Sequence, residues 1–362
     1  MTCISLKVKS NMCTSPIYRV TRKTLVFDNP EKPADFPQAL RSKLLKNGSA
    51  IIGWRDYLDY KNRYSLPEED FVMLPCGRCT ECRIRKVKEW SARCLAEKRT
   101  SENAYFVTLT YSDENLRFQE VDGINYAVLC KRDVQLFFKR LRKSLFGNQK
   151  GNLKYFLSGE VGEKTLRPHY HAIIYNLPLN DLRLYKVKGK TAYYISDWLT
   201  SVWGLGYVVV GLVNDKSVSY TCSYTMKKVG FLSSIETALA EITRLKPLGV
   251  SSKLIKAYMG AGVLPKPFAL MSRRKAIGRQ FFDDNVEEVK QGLPSFNLSK
   301  VTYFDNVLKQ VDNEAFDNLK DTRSSIAEGS RRMTERRLII PEEARFMLKE
   351  ESDKPERRKT IF

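Results

Sequence analysis

Only two histidines occur in the 362 residues, and they stand two apart, as His169 and His171 in RPHYHAIIY. In an extended strand, residues i and i+2 face the same side. Both imidazoles can therefore aim at one point while Tyr170 faces the other way. Two nitrogens converging on a point make a clamp for a divalent cation, with a carboxylate expected as a third ligand. The preceding GEVGEKTLRP offers Glu160 and Glu163. Glu160 is favoured because it directly follows a strand and so sits at the edge of the sheet. Imidazole with carboxylate suits Mn²⁺, and Mg²⁺ where waters complete an octahedron. The same spacing also fits two structural or DNA-contacting histidines in a half-buried strand.

A second pair with chemical potential is Tyr220 and Tyr224. On a helix, a spacing of four places both hydroxyls on one face, with Cβ atoms about 6 Å apart, so either can reach the same phosphate. A phenol of pKa about 10 is a poor nucleophile and needs a polarised phosphate or a nearby cation. Lys227 and Lys228 lie one turn further on, and Lys228, at i+4 from Tyr224, is placed to stabilise charge developing on the phosphate. Two tyrosines at this spacing can equally pack a helix on a sheet, and the chain has 18 of them.

These side chains must be positioned by strands and helices that the sequence marks clearly. The run 105–111, YFVTLTY, is dense in aromatic and β-branched residues and ends in the polar turn SDEN. Further strands are expected over 154–158, 169–175 and 207–210. From Asp133, DVQLFFKRLRKSL spaces Val134, Phe137, Phe138, Leu141 and Leu145 as the apolar face of a helix packed on a sheet. Its polar side carries Lys139, Arg140, Arg142 and Lys143. Asn214 or Asp215 reads as the N-cap of a helix running through Tyr220, Tyr224 and Lys228. A charged helical stretch begins near Arg83.

Strands far apart in sequence, interleaved with helices of uneven length, predict an α+β fold with a central antiparallel sheet of about five strands and flanking helices. We divide the chain into an N-terminal region with a cysteine cluster (1–95), a catalytic domain (96–230), a helical basic region (231–328) and a charged, mobile tail (329–362). Residues 1 to about 70 read as irregular.

Composition narrows the function. Lys and Arg number 62 against 41 Asp and Glu, a net charge of +21, which points to a polyanionic partner, nucleic acid first. The sequence shows no apolar run of about 18 residues and no signal-peptide pattern, so neither a membrane partner nor secretion is expected. No GxxxxGK[ST] loop is present, which excludes an attached P-loop motor. The cations of 139–143, with Arg273, Arg274, Arg279 and Lys227, read as DNA-backbone contacts; a solvated charged face is the alternative.

Taken in order, CGRCTECRIRKVKEWSARC, FVTLTYSDENL, DVQLFFKRLRK, YFLSGEVGE, RPHYHAIIY, YTCSYTMKK and MSRRKAIGR resemble the replication initiators of microviruses of the gokushovirus branch, within the HUH endonucleases. The match spans about residues 76 to 279. The resemblance implies that His169, His171 and Glu160 bind a metal and that Tyr220 and Tyr224 are alternating nucleophiles in rolling-circle replication. One tyrosine nicks the viral strand of the duplex form, leaving a 5′-phosphotyrosine and a 3′-OH for the host polymerase. The second cuts the regenerated origin, and the released 3′-OH seals a single-stranded circle. Partners would be the circular viral DNA, host helicase and host DNA polymerase, in the cytoplasm of the bacterial host. The pattern departs at Ser223, where many relatives carry Lys or Arg.

Eight cysteines without a secretory signal argue for thiols or a metal rather than disulfides. Cys76, Cys79 and Cys82 are spaced three apart. Relatives also carry a cysteine near the start, which makes Cys13 the candidate fourth ligand of a structural zinc site. Free thiols or an iron–sulfur cluster are the alternatives. The competing reading of the whole chain is a non-catalytic, zinc-stabilised DNA-binding protein for packaging or regulation. A related enzyme of the same superfamily with another task, a transposase or plasmid relaxase, is the third.

Overall fold

The computed structural model describes residues 17–20, 50–53, 61–62, 71–77, 80–162, 167–227, 258–259, 262–293 and 301–337. They fall into two compact units, within Met1–Phe281 and Phe282–Phe362.

The first unit is organised by a large antiparallel sheet. Its strands are β4 (Ala104–Tyr111), β7 (Lys154–Val161), β8 (Pro168–Tyr175), β9 (Arg183–Lys188), β10 (Thr191–Ile195), β11 (Gly206–Leu212) and β12 (Phe268–Met271), in the order β12-β7-β8-β4-β11-β10-β9. The α+β class expected from sequence is therefore observed. The sheet has seven strands rather than about five, because β9, β10 and β12 extend it at both edges. Two smaller sheets accompany it: β1 (Ile17–Val20), β2 (Ala50–Gly53) and β3 (Phe71–Leu74), with β1 central, and the hairpin β5 (Phe118–Val121) and β6 (Ile124–Ala127). The N-terminal region read as irregular thus contains a three-stranded sheet that pairs segments far apart in sequence.

Alternation along β4, β7 and β8 sends side chains to two different cores. Val107, Leu109, Tyr111, Leu157, Tyr170, Ala172 and Ile174 face α2 (Lys131–Phe146) and α3 (Asp197–Trp203), and pack with Phe137, Phe138, Leu141 and Trp203. Phe156, Ile173 and Tyr175 face the other way, toward α1 (Thr80–Arg99) and α4 (Asp215–Lys227), and pack with Cys94, Val218 and Cys222. With both faces covered, β8 is buried along nearly its whole length despite carrying two histidines and two tyrosines. A buried ion pair, Lys154 Nζ to Glu97 Oε1 at 2.6 Å, ties β7 to α1. The second Glu97 oxygen accepts from Gly278 N at 2.8 Å, so both carboxylate oxygens are satisfied.

A polar network fastens α2 beneath the central strands. Tyr111 Oη donates to Asp133 Oδ2 and lies 2.9 Å from Tyr170 Oη, while Arg117 grips both Asp133 oxygens at 2.9 and 3.2 Å. Burial alone would raise the Asp133 carboxyl, but the Arg117 and Tyr111 hydrogen bonds outweigh it and hold the carboxyl below its ordinary value. The carboxylate therefore stabilises the fold fully above the unfolded pKa of about 3.9, and that contribution disappears as pH falls through the lower folded value. Asp133→Asn should cost about 1.5–3 kcal/mol at pH 7, and the difference from wild type should shrink below about pH 4. Urea unfolding across pH checks this; a pH-independent difference would contradict it.

The second unit is helical: α6 (Val286–Lys290), α7 (Thr302–Val311) and α8 (Asn313–Arg337), following α5 (Arg279–Asp284) at the junction. Within it, Arg323 Nη1 donates to the buried Asp305 at 2.9 Å. Helix α8 runs past Gly329, so the stretch assigned to a mobile charged tail is helical as far as Arg337. Residues 338–362 lie outside the described residues, as do Cys13, Cys79, Glu163 and Lys228.

Candidate metal centre and nucleophile

The register places three metal-ligating side chains together. Glu160 on β7 pairs directly with His169 on β8, and His171 lies two residues on, across from Ser158. Direct cross-strand partners and i+2 neighbours share a face, so all three side chains project from the same side of the sheet. His169 Nε2 is 2.8 Å and His171 Nε2 3.3 Å from Glu160 Oε1. The ligand atoms of the three all lie within 4.8 Å of one another. Among the described residues, this is the group of three or more acidic, histidine or cysteine side chains that meets such a geometry.

Outer partners orient both rings. His169 Nδ1 lies 3.1 Å from the carbonyl oxygen of Arg167. A carbonyl can only accept, so Nδ1 carries the proton and Nε2 turns its lone pair to the centre. His171 Nδ1 lies 3.1 Å from Thr108 Oγ1 on β4, its direct cross-strand partner. A second ring nitrogen held in this way is the usual support of a metal-ligating imidazole. Arg167 also donates to Tyr111 O at 2.7 Å and pairs with Asp113, which fixes the entry to β8.

The donor set fits a cation. Two imidazole lone pairs and a carboxylate oxygen aimed at one small volume repel one another unless a positive charge lies between them. Ser158, across from His171 on the same face, is fully buried, and its hydroxyl has no hydrogen-bond partner among the described residues. Such an orphaned polar group suits a liganded site, where a bound water completes it.

Tyr220 stands beside this centre. Helix α4 packs on the His-pair face, and the Tyr220 ring lies 5.1 Å from the His171 ring and 6.3 Å from Phe106, both edge-on. Phe106 in turn stacks on His171 at 5.5 Å. Tyr220 is 45% exposed, so its hydroxyl remains open to a substrate. Tyr170, which lies between the two histidines in sequence, is a contrasting case. It sits on the opposite face, fully buried, and burial pushes its hydroxyl up to about 12. That phenol serves the fold and is a poor nucleophile.

Tyr224 follows one turn along α4 and Lys227 ends that helix; the side chains of both lie outside the described residues. Cys76 Sγ and Cys82 Sγ are 4.0 Å apart. Two thiolates bound to one tetrahedral zinc at 2.3 Å would stand about 3.8 Å apart. The basic helix α2 lies on the far face from the histidines. There Arg140 donates to the carbonyls of Val202 and Trp203 at 2.9 and 2.7 Å, and Arg142 sits over the Tyr155 ring. Lys139, Lys143, Arg273 and Arg274 are exposed. Arg142 and Arg279 are half-buried. On that same far side, a cavity of about 850 Å³ is lined by Arg117, Lys131, Arg132 and Lys266 together with Leu129 and Phe268.

Sequence reasoning missed Thr108 and Phe106. Both lie in the recognised strand 105–111, but only the β4–β8 pairing shows that they support His171. No described helix is long and apolar enough to cross a membrane.

Comparison with known proteins gives a consistent picture. A family model for the replication-associated protein ORF2 matches residues 104–229, from β4 through α4. Replication-associated protein ORF2 of Spiroplasma virus 4 is 28% identical over 304 residues, 78% of this chain and 83% of the relative. Replication-associated protein VP4 of Bdellovibrio phage phiMH2K is 31% identical over 157 residues, 43% of this chain and 48% of the relative. Replication-associated protein ORF4 of Chlamydia phage 1 is 29% identical over 160 residues, 43% of this chain and 38% of the relative. No solved structure matches the chain. The chain thus belongs with the phage replication-associated proteins of the ORF2 type, and the matched region is the one that carries Glu160, His169, His171 and Tyr220.

Proposed function

We propose that the chain initiates rolling-circle replication of a small circular phage genome, as an origin-specific endonuclease and strand transferase. The observation that carries this reading is the Tyr220 ring, 5.1 Å from a histidine whose ligand atom converges with those of His169 and Glu160. The similarity to phage replication-associated proteins supports it.

Glu160, His169 and His171 would hold Mg²⁺ or Mn²⁺. When bound, such an ion supplies Lewis-acid polarisation of a phosphodiester oxygen. The chain's own residues do the rest. The Tyr220 hydroxyl attacks phosphorus, a Tyr–O–P bond forms, the P–O3′ bond breaks, and the tyrosine proton is matched by one taken up on the leaving 3′ oxygen. The products are a 5′-phosphotyrosine and a free 3′-OH on which the host polymerase, aided by the host helicase, can extend. Tyr224 performs the second attack, and Lys228 offsets charge on the phosphate. In the joining step the 3′-OH displaces tyrosine, so one phosphodiester replaces another and no ATP is consumed. Lys139, Lys143 and Lys227 would contact DNA phosphates. Cys76, Cys79, Cys82 and Cys13 would hold a structural Zn²⁺ that ties the N-terminal region to the catalytic sheet. The reaction would take place in the cytoplasm of the bacterial host.

Incubation with linear single-stranded DNA carrying two origin copies, without ATP, tests this. Mn²⁺ should yield sealed circles of the intervening length, and chelation should abolish them. Cleavage that leaves only free ends, or DNA binding without cleavage in either metal, would overturn the transferase reading.

A further inference from the structure

The His-pair face is covered on one half and open on the other. Helices α1 and α4 pack over the β12, β7 and β8 side, whereas β11, β10 and β9 leave the same face uncovered next to the metal centre. Pairing carries one row of side chains straight across the boundary: Glu160 on β7, His169 on β8, Thr110 on β4 and Tyr207 on β11. Tyr207 is 67% exposed. It lies two strands from His169, about 10 Å at ordinary strand spacing.

The ring is held there firmly. A Cβ on the preceding Gly206 would come within 2.3 Å of Ser112 N and Thr110 O, so only glycine allows β11 to approach β4 so closely at this point. Trp203 Nε1 donates to Thr110 O at 3.1 Å and braces the same corner. The backbone that presents Tyr207 is thus fixed, while the ring itself contributes little to either core.

Two rows further on, the same face carries Tyr193 on β10, paired with Gly211, and its partner Lys186 on β9, with Lys188 two residues beyond. Lys186 Nζ lies 5.7 Å from the Tyr193 ring. An exposed aromatic beside the reactive centre, followed by a half-buried aromatic and two exposed lysines on one face, is the composition of a single-strand track: rings stack bases and ammonium groups pair with phosphates. The cations that sequence reading had singled out for DNA, on α2, lie on the opposite face. This open half-sheet is on the correct side of the reactive centre, in a chain with a net charge of +21.

We infer that the open face of β11, β10 and β9 binds single-stranded DNA, with a base next to the scissile phosphate stacked on Tyr207 and the strand continuing past Tyr193 toward Lys186 and Lys188. The purpose of the track rests on the nicking reading above; its existence does not. Stacking is tolerant of sequence, so the probe is fluorescein-labelled oligothymidylate, with a blunt duplex of equal length beside it, both in EDTA. Tyr207→Ala should weaken oligothymidylate binding about tenfold and leave duplex binding unchanged. Tyr207→Phe, which keeps the ring, should bind as wild type, and Lys186→Ala should weaken binding and lower its salt dependence. Unchanged oligothymidylate affinity in Tyr207→Ala, with an unaltered unfolding curve, would overturn the inference even if DNA circles are still produced. Loss of affinity in Tyr207→Ala alongside a failure of all variants to cleave DNA would uphold the track and refute the enzyme.

Discussion

His171→Ala is expected to abolish metal-dependent cleavage, lowering its rate by at least about a thousandfold, equivalent to roughly 4 kcal/mol of transition-state stabilisation. His171 is the most connected member of the cluster: it faces Glu160, leans on Thr108 and supports the rings of Phe106 and Tyr220. Its removal takes away a ligand and loosens the nucleophile's seat together. His171→Gln, which keeps bulk, separates the two, because it should restore stability without restoring cleavage. Isothermal titration with Mn²⁺ should show loss of binding in both variants, while duplex DNA affinity stays within about threefold of wild type, since DNA affinity is dominated by phosphate contacts away from this point. Cleavage near the wild-type rate in either variant would exclude the cluster from the chemistry.

Tyr220→Phe is the second large effect. Phenylalanine keeps the edge contacts to His171 and Phe106, so stability and Mn²⁺ binding should be unchanged, and only the attacking oxygen is lost. Production of sealed circles should fall by at least about a thousandfold. Because Tyr224 lies one turn along the same helix, the single variant should keep a residual adduct. The double variant Tyr220→Phe with Tyr224→Phe should form none. A double variant that still joins strands would remove both tyrosines from the mechanism.

Much of the centre was legible in the sequence because strand periodicity alone brings residues i and i+2 together. His169 and His171 needed only one strand to converge, and Glu160 needed only the assumption that 154–158 continues to the edge beside them. Helix α2 was equally clear, its apolar residues falling at helical spacing. The outermost strands were not legible for physical reasons. β9, RLYKVK, is exposed along its whole length and so shows no burial-driven alternation, and β12 is four residues long. Thr108 and Tyr207 enter the site only through pairing partners, which one strand's pattern cannot reveal. Arg140 reads from sequence as a surface cation, yet its guanidinium binds two carbonyls of α3. Helical spacing shows which face a side chain leaves from and not what it meets.

The central claim is that Tyr220, beside the Glu160–His169–His171 cluster, becomes covalently joined to DNA. Its most direct test is mass mapping of the adduct formed by wild-type protein with single-stranded origin DNA and Mn²⁺. Trypsin releases both tyrosines in one peptide, Ser217–Lys227, SVSYTCSYTMK, and fragment ions distinguish them. The account predicts a 5′-phosphonucleotide on Tyr220, with or without a second population on Tyr224, absent when metal is chelated. An adduct on a peptide outside 217–227, or cleavage that leaves a free 5′-phosphate and an unmodified peptide, would contradict it.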